Sequence, residues 1–330
     1  MPQFEDASRA STELFGVVPE RSSFSALSFD AWRSFATTRG LNTKAAGAYL
    51  PRTLEAAVNA ETPFANASAL HELYGHGLLV EHTALGAQLQ RGEPVPARLF
   101  DVYEGVAMLI EGTLAEHLLL GAEFAQKMAN VPHESRMLYE QYAGIAERKT
   151  LHWTLYAAGF PKVYDAPLAK KLLLKNYPGD ASQIEFAVVY GSRKPHADID
   201  YFVVSKGPTT QVVDGVLDIG VMNTMEFEWR LANLDIAVTD PLFTGEFLIG
   251  DEARLEELKR RCKNTKVRPK HVAYALEQAR DQEEKARDST NGLNPKTATG
   301  YAQTYRASAF LRERGVNVVT RREIDEYLIR

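Results

Sequence analysis

FAVVYGSRKPHADIDYFVV, residues 186–204, holds two apolar runs on either side of a short polar connection. This pattern predicts a strand, a tight turn and a second strand. Asp198 and Asp200 stand two apart where the second run begins. Because side chains alternate along a strand, both carboxylates should project from one face, where their oxygens suit Mg²⁺. Gly191 and Ser192 end the first strand in a turn that can hold phosphate oxygens.

A third carboxylate on a neighbouring strand would complete such a two-metal site. VLDIGVMNTMEFEWRL, residues 216–231, predicts a strand and a following helix, with Asp218 in the strand. Asp235, in LDIAVTD after that helix, is the alternative. The Gly-Ser turn, the Asp-x-Asp strand and the next acid-bearing strand resemble the polymerase-β-like nucleotidyltransferase superfamily. The five-residue spacer RKPHA after Ser192 is shorter than that family's pattern leads one to expect.

The nucleotidyltransferase resemblance implies a chemistry and a set of roles. It implies transfer of a nucleotidyl group from an NTP to a hydroxyl of an acceptor, either nucleic acid or protein. Mg²⁺ or Mn²⁺ would be the cofactor. By this resemblance the catalytic metal ligands are Asp198, Asp200 and Asp218, and the nucleotide-binding residues are Gly191, Ser192 and Arg193.

A second motif, HELYGHG at residues 71–77, carries two histidines and a glutamate. His71 and His76 are five apart, and in a regular helix of 3.6 residues per turn they would face in different directions. A one-residue bulge, for which Gly75 and Gly77 give the backbone latitude, would bring both imidazoles to one face. They would then be two zinc ligands, with Glu72 as the general base. The alternative is that both histidines are ordinary surface or core residues.

In its bulged form, HEXXGH, this motif resembles that of the dipeptidyl-peptidase III family of zinc metallopeptidases. That family takes its third ligand from a later helix, and YEGVAMLIE, residues 103–111, offers Glu104 in that place. Glu111 lies two helical turns further on and should face the same way, as a support for a ligand histidine. The resemblance implies hydrolysis of a peptide or amide bond by a zinc-activated water. His82 and His117 lie on the same predicted helices, and we expect His82 to be structural.

The 330 residues predict two domains. A net charge of −5 shows no overall attraction to nucleic acid or membrane, and the single cysteine, Cys262, fits a reducing compartment. The early part of the chain has no apolar leader, and no run is long enough to span a membrane. We therefore expect a soluble, cytoplasmic protein.

Apolar spacing predicts an α+β protein with three regions. An all-helical zinc-hydrolase-like domain is expected over residues 1–165, including LEAAVNA, with a break at GEPVPARLF. A nucleotidyltransferase-like α/β core is expected over 166–265, and C-terminal helices packed on it over 266–330. The basic run KRRCKNTKVRPK, residues 259–270, is interpreted mainly as the solvated end of a helix. The Tyr and Arg residues of TATGYAQTYRASAFLRERG are interpreted as helix packing.

Three functional hypotheses remain open from the sequence. The chain is a bifunctional enzyme, or a nucleotidyltransferase with a structural zinc domain, or a hydrolase regulated by a non-catalytic nucleotide-binding domain.

Overall fold

The protein is a mixed α/β fold in which helices outnumber strands. The computed structural model describes residues 4–161, 165–192, 194, 197–287 and 295–328. Two compact units, Met1–Val163 and Tyr164–Arg330, divide the chain, and the second contains both the predicted α/β core and the helices that follow it. Within the described residues, no helix has the length and apolar character needed to cross a membrane.

The first unit combines a small sheet with a set of helices. In the sheet, β3 lies between β1, to which it is parallel, and β2, to which it is antiparallel. The elements are α1 (Phe4–Phe15), β1 (Ser23–Leu27), α2 (Phe29–Thr38), β2 (Gly47–Leu50), β3 (Glu55–Asn59), α3 (Ala65–Ala69), a π-helical segment (Leu70–His76), α4 (Gly77–His82), α5 (Ala84–Arg91), α6 (Ala97–His117), α7 (Gly121–Asn130), α8 (His133–Arg148) and α9 (Leu151–Ala157).

The sheet corrects the prediction of an all-helical first domain. LEAAVNA, predicted to be helical, forms β3. Its apolar residues Ala56, Ala57 and Val58 are completely buried, and its backbone is paired on both sides. A run this short has no period that separates a buried strand from a buried helix, so only its pairing partners decide the structure. The predicted break at GEPVPARLF is confirmed, because α5 ends at left-handed Gly92 and α6 begins after Pro96.

Helix α6 lies at the centre of the first unit. Val106, Ala107, Ile110 and Leu114 have at most 1% of their surface exposed. Burial of aliphatic side chains contributes roughly 1.5–3 kcal/mol each, so α6 is a rigid support for whatever its polar residues hold. The π-helical segment packs directly against it. An added Cβ at Gly75 would meet the carbonyl oxygen of Ala107 at 2.8 Å, so the close approach of the two helices requires glycine there.

The second unit is built on a five-stranded sheet of order β6-β7-β5-β4-β8. Strands β5 and β7 are parallel, and the other neighbouring pairs are antiparallel. The elements are α10 (Ala166–Asn176), β4 (Ile184–Tyr190), β5 (Ile199–Ser205), β6 (Thr210–Val213), β7 (Leu217–Asn223), α11 (Thr224–Ala232), α12 (Ile236–Thr244), β8 (Glu246–Gly250), α13 (Glu252–Asn264), α14 (Pro269–Arg287), α15 (Pro295–Glu313) and α16 (Arg321–Leu328).

The strands predicted in residues 186–204 and 216–231 are confirmed. The first stretch supplies β4 and β5, and the second supplies β7 and α11. These strands could be predicted from the sequence because each is rich in β-branched and aromatic residues and ends in turn residues. Phe186, Val188, Phe202 and Val204 pack on Phe227 of α11 in one core.

Candidate functional sites

The π-helical segment brings the two histidines of HELYGHG together. Leu70–His76 follows the wider helical path, and regular helix continues on both sides of it. Because a π-helix is hydrogen-bonded between positions i and i+5, these two positions lie close together on neighbouring turns. The His71 and His76 rings lie 4.5 Å apart between centroids, edge to face. The predicted bulge is therefore confirmed.

Glu104 of α6 completes a three-residue cluster with these histidines. Its two carboxylate oxygens each lie 3.4 Å from one Nε2 atom, Oε1 from that of His71 and Oε2 from that of His76. The three ligand atoms all lie within 4.8 Å of one another. Ligands at about 2.0–2.1 Å from a tetrahedral zinc ion are roughly 3.3 Å apart, so the donor types and the two measured separations fit zinc. Among the described residues, this is the group in which three or more such ligand atoms converge closely enough to hold a metal ion.

A buried ion pair supports His71 from behind. Nδ1 of His71 lies 3.0 Å from Oε2 of Glu111, whose side chain is fully buried. Lys127 of α7 donates to both oxygens of Glu111, at 2.8 and 2.7 Å. Glu111 is thus placed where the sequence expects a supporting residue, whereas Lys127 was not anticipated. The feature that could have indicated Lys127 is its position on the apolar face of a helix, beside Phe124 and Met128.

The charges in this cluster shift its proton affinities. Burial and Lys127 act to lower the pKa of His71, but Glu104 and Glu111 outweigh them and raise it to about 10. Burial acts to raise the pKa of Glu104, yet the two imidazoles hold it well below its ordinary value. The metal-free cluster therefore carries a proton on His71, which metal binding must displace.

Replacing Lys127 with methionine is expected to lower the free energy of unfolding of the metal-free protein by about 3–5 kcal/mol, because it removes the cation that donates to both oxygens of the buried Glu111 carboxylate and leaves only His71 facing it. Urea unfolding measures the change. The control is Arg9→Met, which removes the cation of an exposed pair with Asp6 and should cost less than about 1 kcal/mol. Equal effects of the two substitutions would contradict a structural role for the buried pair.

Glu72 lies next to the three-residue cluster, beneath strand β2. Only 8% of its surface is exposed. An added Cβ at Gly47 would meet Cγ of Glu72 at 2.8 Å and Oε1 at 2.9 Å, so glycine leaves room for the carboxylate. Two residues along the same strand, the Tyr49 ring lies 6.3 Å from that of His76. Strand β2 therefore crosses over Glu72 and His76, and it is an edge strand of its sheet.

The other histidines of the helical region lie outside the cluster. Nε2 of His82 lies 2.9 Å from the carbonyl oxygen of Val18, in agreement with the expected structural role. Nε2 of His117 lies 3.6 Å from Glu13, and both side chains are largely exposed.

In the second unit, two of the predicted carboxylates stand side by side. Asp200 of β5 is the direct register partner of Asp218 in the parallel strand β7. Both line a cavity of about 1080 Å³ together with Gly191 and Ser192. Gly191 has φ +81°, and an added Cβ there would collide with the Asp200 carboxylate, so the turn can approach the acid only as glycine. The Gly-Ser turn and the two acids therefore line the same cavity.

The remaining predicted residues are placed differently. Asp198 directly precedes β5 and does not line this cavity. Arg193 lies outside the described residues. Asp235, the alternative third acid, is completely buried and caps α12 by accepting from the backbone N–H of Ala237. It also accepts hydrogen bonds from Tyr274, Tyr305 and Arg230. It does not line the cavity, so the structure favours Asp218 as the partner of Asp200.

Sequence reasoning missed a further acid in this cavity, Asp240 of α12. It accepts a hydrogen bond from the backbone N–H of Arg321, and burial raises its pKa. Burial also raises the pKa of Tyr190, and Asp200, Asp218 and Asp240 add to that effect. Tyr190 is therefore within electrostatic range of all three acids. No spacing rule links Asp240 to the strand acids, because α12 brings it there from a different layer.

Helices α14, α15 and α16 also line the cavity. They contribute basic residues, Lys285, Arg321 and Arg322, and acidic residues, Asp325 and Glu326. Tyr305 agrees with the predicted packing role, since it is 7% exposed and bonded to Asp235. Tyr301 does not have the predicted packing role, because it is 45% exposed and lines the cavity.

The basic run at residues 259–270 includes the end of α13, where it was expected. Arg261 pairs with Glu228, and Lys259 pairs with Glu256. Cys262 is buried, which raises the pKa of its thiol to about 11.

In comparisons with known proteins, no family model and no curated protein matches the chain.

Proposed function

We propose that the first unit is a zinc-dependent hydrolase of a peptide or amide bond. The observation that carries this proposal is the convergence of His71, His76 and Glu104, with ligand atoms all within 4.8 Å. Two histidines and one glutamate are a ligand set that leaves a fourth zinc position open, as catalytic sites require. Glu72, one residue after the first histidine, lies beside the cluster and is largely shielded from solvent. A structural zinc site would need a fourth protein ligand instead.

In this proposal Glu72 is the general base. Zinc, when bound, polarises the scissile carbonyl and makes the attacking water more acidic. Glu72 accepts the proton of that water as the new C–O bond forms. It then delivers the proton to the nitrogen of the leaving group as the C–N bond breaks. Gly47 permits this position of Glu72, and the ion pair of Glu111 and Lys127 keeps His71 oriented.

Strand β2 favours an extended peptide as the substrate. It is paired with β3 on one side only, so its other edge has backbone donors and acceptors to offer. An extended chain can add to such an edge through main-chain hydrogen bonds. Because β2 lies over Glu72 and His76, a peptide held there would pass close to the cluster.

The first test is zinc content after mild washing with a chelator. Wild-type protein is expected to retain about one zinc per chain, as a single site requires. His76→Ala is expected to retain almost none, because two ligands cannot hold the ion well. The control is His82→Ala, which removes a histidine six residues further along whose ring is bonded to Val18. Zinc retained in His76→Ala, or lost equally in His82→Ala, would contradict the assignment.

We propose, as a second function, that Tyr164–Arg330 is a Mg²⁺-dependent nucleotidyltransferase. The observation that favours it is the pairing of Asp200 with Asp218 in one cavity with Gly191 and Ser192. Neighbouring carboxylates suit Mg²⁺, and a Gly-Ser turn suits phosphate oxygens. The cavity, at about 1080 Å³, is slightly larger than the roughly 300–1,000 Å³ of typical small-molecule sites, so it has room for a nucleotide.

In the transfer reaction, the acceptor hydroxyl gives up its proton to solvent, its oxygen forms a bond to the α-phosphorus of an NTP, and the bond from that phosphorus to pyrophosphate breaks. Mg²⁺, when bound, would stabilise the charge on both oxygens. Asp200 and Asp218 would hold the ion, and the Gly191–Ser192 turn would orient the phosphates. Lys285 and Arg321 line the same cavity and could contact phosphate oxygens, although Asp325 and Glu326 line it too.

Incubation with radiolabelled NTPs and Mg²⁺ tests this second proposal. Transfer of label to a protein or RNA acceptor is the expected result. Binding of NTP without any labelled product, together with a changed hydrolysis rate in the first unit, would instead favour a regulatory nucleotide-binding domain.

A further inference from the structure

The two histidines of the zinc cluster are supported in different ways. A metal-bound histidine ordinarily donates its second ring N–H to a carboxylate, a carbonyl or a water, and this bond fixes the plane of the ring. Nδ1 of His71 faces Glu111 at 3.0 Å. The Nδ1 atoms of both histidines are buried without a well-aligned hydrogen bond in the described part of the chain, but among those residues only Nδ1 of His71 faces a carboxylate. Something other than a hydrogen bond must set the plane of the His76 ring.

Aromatic rings surround His76 instead. The Tyr103 ring is stacked on it, 4.6 Å between centroids and 19° from parallel. The Tyr49 ring is farther away, at 6.3 Å, and more tilted. Tyr103 is 7% exposed and immediately precedes the ligand Glu104 on α6, so the ring and the ligand share one rigid support. The Tyr103 hydroxyl lies 3.5 Å from the carbonyl oxygen of His76, which is a weak contact.

We propose that Tyr103 is a positioning residue for zinc, whose stacked ring takes the place of the missing hydrogen bond at His76. This inference rests on the proposed zinc site of the first unit. No carboxylate stands behind His76 to hold its ring in place, as Glu111 does behind His71, so His76 is the more easily displaced of the two ligands. The ring of Tyr103 therefore limits how readily His76 leaves the zinc, and so limits the rate at which zinc dissociates.

The test is the rate of zinc transfer from the loaded protein to an excess of a chromogenic chelator. Tyr103→Met keeps an apolar side chain at this buried position but removes the ring plane. It is expected to release zinc about 10- to 100-fold faster, the range for loss of a residue that supports a metal ligand. Tyr103→Phe keeps the ring and is expected to release zinc at the wild-type rate.

Two controls separate positioning from general loosening of the fold. Phe35→Leu removes a ring that is stacked on Trp32 in the same unit, away from the cluster, and should leave the zinc rate unchanged. The melting temperature of each metal-free variant is measured alongside. Tyr103→Leu is measured as a second ring-free variant, so that the test does not depend on the folding of the Met variant alone.

Three results would count against these proposals, and they can be told apart. Wild-type release rates in Tyr103→Met would overturn the positioning role. Equally fast release from Tyr103→Phe and Tyr103→Met would assign the effect to the hydroxyl and overturn the role of the stacked ring. Wild-type protein that binds no zinc would instead overturn the proposed hydrolase, and this result needs no variant.

Discussion

Replacing Glu72 with glutamine is expected to lower peptide hydrolysis by about 10²- to 10⁴-fold, the usual contribution of a general base, and to leave the zinc content unchanged. Glutamine has the shape of glutamate but cannot accept the proton of the attacking water. Because Glu72 is not one of the three clustered ligands, its loss should not release the metal. The measurement is cleavage of a pool of internally quenched peptides, with zinc determined on the same samples.

The matched control for Glu72 is Glu116→Gln, an exposed position on α6. It should cleave peptides and retain zinc as the wild type does. Full activity in Glu72→Gln would exclude Glu72 as the base, and loss of zinc would reassign it as a ligand. Zinc in every variant with no cleavage of any peptide would favour a structural metal domain. Nucleotide transfer should be unaffected by Glu72→Gln if the two sites work independently.

Replacing Asp218 with asparagine is expected to abolish nucleotidyl transfer while leaving the melting temperature near that of the wild type. Loss of an ionic metal ligand removes several kcal/mol of transition-state stabilisation. The Asp218 side chain accepts only the Gln211 amide among the hydrogen bonds that the structure assigns to it, and asparagine can accept that bond too. Transfer is measured with labelled NTP at saturating Mg²⁺.

Asp235→Asn is the comparison that separates the two predicted third acids. Asp235 is completely buried and accepts from two tyrosine hydroxyls and an arginine. Since hydrogen bonds to a charged group contribute about 1.5–3 kcal/mol each, we expect a clear loss of stability. The transfer rate of the protein that remains folded should change little. A stable but inactive Asp235→Asn protein, beside an active Asp218→Asn protein, would reverse the assignment.

The sequence predicted the strands of the second unit well and those of the first unit poorly. IEFAVVY and DIDYFVVS are long, β-branched and bounded by turn residues, so local preference and tertiary pairing agree. EAAVN contains three alanines or valines between polar ends and could form either element. Its burial between β1 and β2 depends on chain segments that lie before it in the sequence. Local preference could not anticipate that pairing, because in a sheet the packing partners outweigh propensity.

The candidate sites show the same division. His71, Glu72, His76 and Glu104 could be nominated from spacing, because a one-residue insertion in a helix has one simple geometric solution. Asp200 and Asp218 could be nominated because each lies in a readable strand. Sequence spacing could not place three further residues in a site, namely Lys127, Tyr103 and Asp240. Each of them reaches its site because separate elements pack together.

The sequence by itself determined the chemical groups of both sites and the local backbone that presents them, through the glycine-flanked bulge and the alternation of strand residues. Tertiary structure alone decided which acids meet. The parallel register of β5 and β7 sets Asp200 against Asp218, while burial under α14 and α15 makes Asp235 a structural residue. The physical reason is that the donors around a carboxylate decide whether it is a structural residue or free to bind a ligand. Those donors come from distant parts of the chain.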